Sequence, residues 1–166
     1  IQEWHAGNSQ LTSSDQHPVS NEGGRSLYAN WGTKNQSLTL SEVKVPQSGW
    51  YFIQALYNNM GPISTGITAT TKFVDIILQN KKEVLSTQAL VMPHLIHYTT
   101  WEHSTLAPIY LESDKIYQFV LRDHMNMSYL QHFASYRGRG GEGGIDNRTN
   151  IGALKLLYYG SHEPNK

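Results

Sequence analysis

Apolar side chains in this chain recur at every second position over short runs that end in turn residues. No stretch sustains three-to-four spacing for even three turns. A period of two predicts strands, not helices. Gln36 to Val45 alternates through Leu38, Leu40, Val43 and Val45, with a slip near Glu42 that reads as a bulge. Pro46-Gln47-Ser48-Gly49 then supplies a turn, Pro setting φ early and Gly freeing it late. Trp50 to Tyr57 is rich in aromatic and β-branched residues, so the two runs are expected to form a hairpin. Ala69 to Leu78 and Glu83 to Leu90 flank a polar Gln79–Lys82 turn. A second hairpin is expected from Leu106–Leu111 and Lys115–Arg122 around Glu112-Ser113-Asp114. Asn150 to Tyr158 closes the series, while Gln2 to Leu11 reads as an edge strand and Ser13 to Gly24 as a polar excursion.

Asn58–Gly66 and Asp123–Gly144 read as loops, and His94–His103 has no clear pattern. The sum is about eight to ten short antiparallel strands, which predicts an all-β domain of the β-sandwich or jelly-roll type. One such domain is expected over residues 1–160, with 161–166 as a linker or terminal stub.

Composition narrows the function classes. Thirteen basic residues balance thirteen acidic ones, so no global field draws the chain to nucleic acid or an acidic membrane. No apolar run approaches the ~18 residues of a helical membrane span. Charged residues make up only 16% of the chain, against roughly 25% in an average domain. The remaining polarity comes from Ser, Thr, Asn, Gln, Gly and Tyr, groups that meet sugars through neutral hydrogen bonds and aromatic faces. Cysteine is absent, which excludes disulfides, thiolate nucleophiles and thiolate metal sites. These features, with a first residue Ile1 in place of Met, fit a domain cut from a larger secreted bacterial protein.

The order of motifs resembles the jelly-roll carbohydrate-binding modules of families 6 and 35. The resemblance runs over roughly residues 26 to 159 and rests on Asn30-Trp31-Gly32, Val43-Lys44-Val45-Pro46 with Ser48-Gly49-Trp50-Tyr51, and Leu56-Tyr57-Asn58-Asn59. It continues through Trp101, Tyr110-Leu111-Glu112-Ser113-Asp114 and Asn150-Ile151-Gly152-Ala153-Leu154-Lys155-Leu156. It implies a non-catalytic module that holds a covalently linked polysaccharide-degrading domain on its polymer. Tyr57, Asn58, Asn59, Trp101 and Asn150 match positions that contact sugar in such modules. Two departures stand out: Gly152 occupies a position where many relatives have an acid that helps hold calcium, and of the amino-terminal acidic pattern only Glu3 remains.

The residues themselves add to this reading. Flat aromatic rings stack on the C–H face of a sugar, and planar amides or guanidinium groups fix its hydroxyls. That makes Trp31 a further candidate platform. The segment Tyr136 to Arg148 interleaves glycines with Arg137, Arg139 and Arg148. Arginine binds carboxylates through two parallel hydrogen bonds, so Arg137 and Arg139 point to an acidic glycan bearing uronate or pyruvate, xanthan being one example. Glu142, Asp146 and Asn147 offer hard oxygen atoms of the kind calcium prefers, which makes them candidate metal ligands.

Two other readings compete. A small jelly-roll polysaccharide lyase needs a uronate-neutralising group and a proton-moving pair, for which His124, Tyr129, His132, Tyr136 and Arg137 supply the residue types. An accessory domain that packs against a neighbour without touching sugar is the other. Exposure of Trp31 and Trp101 favours binding, and burial of both favours the accessory role.

Overall fold

The computed structural model describes residues 1–14, 19–22, 25–32, 36–59, 69–95, 101–123 and 148–164. Twelve strands make up its regular structure: β1 Gln2–His5, β2 Leu11–Ser13, β3 Val19–Glu22, β4 Arg25–Trp31, β5 Ser37–Val43, β6 Gly49–Asn58, β7 Ala69–Leu78, β8 Glu83–Pro93, β9 Glu102–His103, β10 Ala107–Leu111, β11 Tyr117–Arg122 and β12 Thr149–Gly160. They form two antiparallel sheets. The seven-stranded sheet runs β10-β6-β12-β4-β3, with β9 also paired to β6 and β1 to β12; the five-stranded sheet runs β2-β5-β11-β7-β8. This is the expected sandwich.

Alternation explains why the sheets face each other. In β6, Tyr51, Ile53, Ala55 and Tyr57 point into the core, and Ile151, Leu154 and Leu156 of β12 join them. Leu38, Leu40 and Val43 of β5, Val74 and Ile76 of β7, and Phe119 and Leu121 of β11 meet them from the other sheet. Fully burying a side chain of this kind stabilises the fold by roughly 1.5–3 kcal/mol.

Neither expected hairpin forms. β5 pairs with β2 and β11, whereas β6 pairs with β12, β10 and β9. Likewise β10 lies beside β6, but β11 lies between β5 and β7. At both corners the chain crosses from one sheet to the other, and the Ser113 N–H donates to Ser48 Oγ at 2.8 Å to tie the corners together. Alternation marks which face of a strand is buried; it is equally satisfied by a neighbour beside the strand or by one across the core. The β7–β8 return is a true hairpin, extended to Pro93. The Gln2–Leu11 stretch splits into β1 in one sheet and β2 in the other, and β3 forms inside the expected polar excursion.

The slip at Glu42 is a bulge. Glu42 takes φ of +55°, and the β5–β11 register shifts between Tyr117 and Phe119. Side-chain amides satisfy the displaced backbone: Gln79 Oε1 accepts from the Glu42 N–H at 2.8 Å, and Gln10 Nε2 donates to Ser41 O at 2.9 Å.

One charged group lies deep in the sandwich. Lys72 on β7 is 0% exposed, donates to Asp123 Oδ1 at 2.8 Å and to Gly32 O at 3.2 Å, and stands 5.8 Å from the Trp31 ring centroid. Burial pushes the Lys72 pKa down, and Asp123 opposes that shift. The pair joins β7 to the ends of β4 and β11. Removing one member strands a buried charge, so Lys72→Met is expected to cost about 3–5 kcal/mol, with Lys72→Met/Asp123→Leu recovering most of it. Urea denaturation of the two variants measures this.

Candidate functional site

Strand register places Asn58 of β6 opposite Asn150 of β12, and Glu102 of β9 opposite Tyr57. Tyr57 and Ile151 point into the inter-sheet core, so their neighbours Asn58 and Asn150 belong to the outer face of the seven-stranded sheet. Trp101, one residue before β9, comes onto that face at the same level. Its indole rests on Gly152, where an added Cβ would stand 2.9 Å from ring carbon Cζ3. A bulge in β12 between Ile151 and Ala153 sets Gly152 there. Gly152 thus provides the seat for the tryptophan.

Arg25, at the start of β4, completes the arrangement with its guanidinium carbon 5.0 Å from the Trp101 ring centroid. Both side chains are half-buried, as is Asn150. A flat ring, a guanidinium group and an amide therefore share one partly exposed surface. Beyond them lies a polar row. Lys155 Nζ is 2.7 Å from His103 Nε2 and 3.2 Å from Glu3 Oε1, and His5 Nε2 is 3.1 Å from Glu3 Oε2. Partial desolvation and then the Lys155 ammonium hold His103 below its ordinary value, so its neutral ring accepts from Lys155. The hydrogen bond from Lys155 lowers the Glu3 carboxyl.

The structure brings together Trp101, Asn58 and Asn150 from the expected set and adds Arg25 and Gly152. Trp31 and Tyr57 correct the expectation of stacking platforms. They are 0% and 1% exposed, both lie in the inter-sheet core, and the Tyr57 hydroxyl donates to Pro93 O at 2.6 Å. Neither ring has a free face. Asn58 is buried too, and Asn59 is held inside by donation from Nδ2 to Thr70 Oγ1 at 3.1 Å and to Met92 O at 3.3 Å. Arg137, Arg139, Glu142, Asp146 and Asn147 lie outside the described residues, as do His124, Tyr129, His132 and Tyr136. Among the described residues no group of three or more His, Asp or Glu side chains is placed to hold a metal ion.

No protein-family model matches the sequence, and no curated protein is a significant sequence relative. Solved structures do match in fold. A family 35 carbohydrate-binding module from Clostridium thermocellum superposes with a TM-score of 0.65 at 13% identity, over 95% of this chain and 98% of that one. Xyl-CBM35, in complex with a disaccharide containing glucuronic acid, gives 0.61 at 12% identity, over 98% and 95%. CsCBM6-3 from Clostridium stercorarium, in complex with cellobiose, gives 0.57 at 11% identity, over 96% and 95%. The resemblance to families 6 and 35 therefore holds for the fold along nearly the whole chain.

Two outcomes check this geometry. Gly152→Val is expected to lift the Trp101 ring off its seat, shifting tryptophan emission and destabilising the domain by about 1–3 kcal/mol, as overpacking does. Because His103 is held below its ordinary value of 6.5, the stability of its neutral form is complete above that pH and lost as pH falls below it. Thermal melts between pH 7 and 5 are expected to show a shallower loss for His103→Gln than for the wild type.

Proposed function

We propose that this chain is a non-catalytic carbohydrate-binding module that keeps an attached polysaccharide-degrading domain on its polymer outside the cell. The observation that carries the reading is the half-buried Trp101, seated on Gly152 with Arg25 over its ring and Asn150 on the same face of the sheet. The indole offers apolar area to the C–H face of a pyranose at little entropic cost. Asn150 adds a planar amide, a group suited to sugar hydroxyls, to the same face. The full-length fold likeness to carbohydrate-binding modules supports the same conclusion.

Arg25 favours an acidic glycan. A uronate laid against the exposed part of the indole brings its carboxylate to the guanidinium, which binds carboxylates in a bidentate fork. The glucuronic-acid disaccharide held by one of the fold neighbours is consistent with that chemistry. Xanthan, pectin and alginate are the polymers to try. Affinity from a single shallow site is modest; its use lies in raising the effective concentration of the attached domain. Calcium is proposed as a structural ion held by the 142–147 segment.

Affinity electrophoresis through gels containing xanthan, pectin, alginate, xylan or β-glucan tests the reading, with and without a chelator. Selective retardation by an acidic polymer is expected. Trp101→Ala should weaken it about tenfold, and Arg25→Ala should weaken acidic polymers far more than neutral ones. Loss of retardation with chelator would tie calcium to the site. A protein that no polymer slows would refute the reading, and one that cleaves a polymer would make it an enzyme.

A further inference from the structure

The outer face of the seven-stranded sheet carries a second aromatic group at the end of β6 away from Trp101. Trp50 of β6 and Tyr110 of β10 are cross-strand partners whose rings meet edge to face at 5.7 Å. Phe52 of β6, whose direct partner on β12 is Leu157, also meets the ring of Tyr159 edge to face at 5.3 Å. These rings are not core: Tyr110 is 45% exposed and Tyr159 52%, while Trp50 and Phe52 are half-buried. Their strand neighbours Tyr51, Ile53 and Ile109 fill the inter-sheet core, so Trp50, Phe52 and Tyr110 lie on the opposite side of the sheet, and Tyr159 joins them through its contact with Phe52.

Between this group and Trp101 the middle of the same face is polar, with the buried Leu56 following toward Trp101. Gln54, outward on β6, stands opposite Lys155 of β12, and Lys155 in turn reaches His103 and Glu3. From the level of Trp101 to Trp50 the track runs eight residues along β6, roughly 26 Å at strand rise. Aromatic rings at both ends with hydrogen-bonding groups between them suit a polymer of rings and hydroxyls. A protein partner would instead be anchored by a desolvated central cluster, and here the centre is the polar part.

We infer that the four rings form a second stacking subsite for the same glycan, so that one polymer of several sugar rings runs along β6 and β12 from Trp101 to Trp50. The inference rests on the carbohydrate-binding reading and adds a direction and a length to it. Two linked subsites on one chain make the second contact intramolecular, so intact polymer binds more tightly than a fragment that reaches only one end.

The test uses alginate, polygalacturonate and xylan, each as intact polymer and as its trisaccharide, with wild type, Trp101→Ala and Tyr110→Ala/Tyr159→Ala. The tyrosine double variant is expected to lose about fivefold or more in retardation by intact polymer while trisaccharide affinity at the Trp101 end stays unchanged. Tyr110→Phe/Tyr159→Phe keeps the rings and is expected to behave as wild type, which separates stacking from misfolding. If the double alanine variant is retarded like wild type while Trp101→Ala is not, the second subsite is overturned and the module reading stands. If wild type is slowed by none of the polymers, the module reading fails and the inference with it. If sedimentation shows wild-type dimers that the double alanine variant dissolves, the patch is a self-association surface and the inference is overturned.

Discussion

β6 and β12 run antiparallel at the centre of the larger sheet, and their pairing forces two sets of side chains apart. One set, including Tyr51, Ile53, Ala55, Tyr57, Ile151, Leu154 and Leu156, fills the space between the sheets. The other has no sheet to pack on. It includes Trp50, Phe52, Gln54, Lys155, Asn58 and Asn150. Large aromatics on that second face contribute nothing to the inter-sheet core, yet they occupy a surface that water contacts. A strand that alternates between an apolar inner face and an aromatic-polar outer face can be a scaffold and a binding surface at once.

The bulge in β12 converts this face from a surface into a seat. An unbroken strand would put a side chain at position 152 under the ring of Trp101. The bulge and the missing Cβ let the indole come down onto the backbone, where Arg25 reaches it. The buried Lys72–Asp123 pair does related work inside the sandwich, holding Gly32 and Asp123 where β4 and β11 end. Its burial makes it unforgiving of single changes. It also keeps Trp31 committed to the interior.

Much of the fold was legible in the pattern of residues. The period of two gave the sheets their inner faces, and the slip at Glu42 gave the bulge its position. Sheet membership was not legible at the corners, because Pro46–Gly49 and Glu112–Asp114 read as hairpin turns whichever sheet the next strand joins. Of the candidate site, Trp101 and Asn150 were picked out through the resemblance to carbohydrate-binding modules. Trp31 and Tyr57 looked the same, and only long-range packing separates a ring that fills a core from one that faces out. Arg25 carried no local signal, since its partner arrives from a distant strand. Lys72, in a run of Thr70-Thr71-Lys72, has the look of a solvated strand residue and is instead wholly enclosed.

The proposed glycan surface is the outer face of the seven-stranded sheet at Trp101. Titrating isotope-labelled protein with acidic oligosaccharides, and following backbone amide and indole resonances, tests it most directly. The largest shifts are expected at the Trp101 indole, Gly152, Asn150 and Arg25, with smaller ones spreading along β6 and β12. Shifts confined to the five-stranded sheet, or none at saturating sugar, would contradict it.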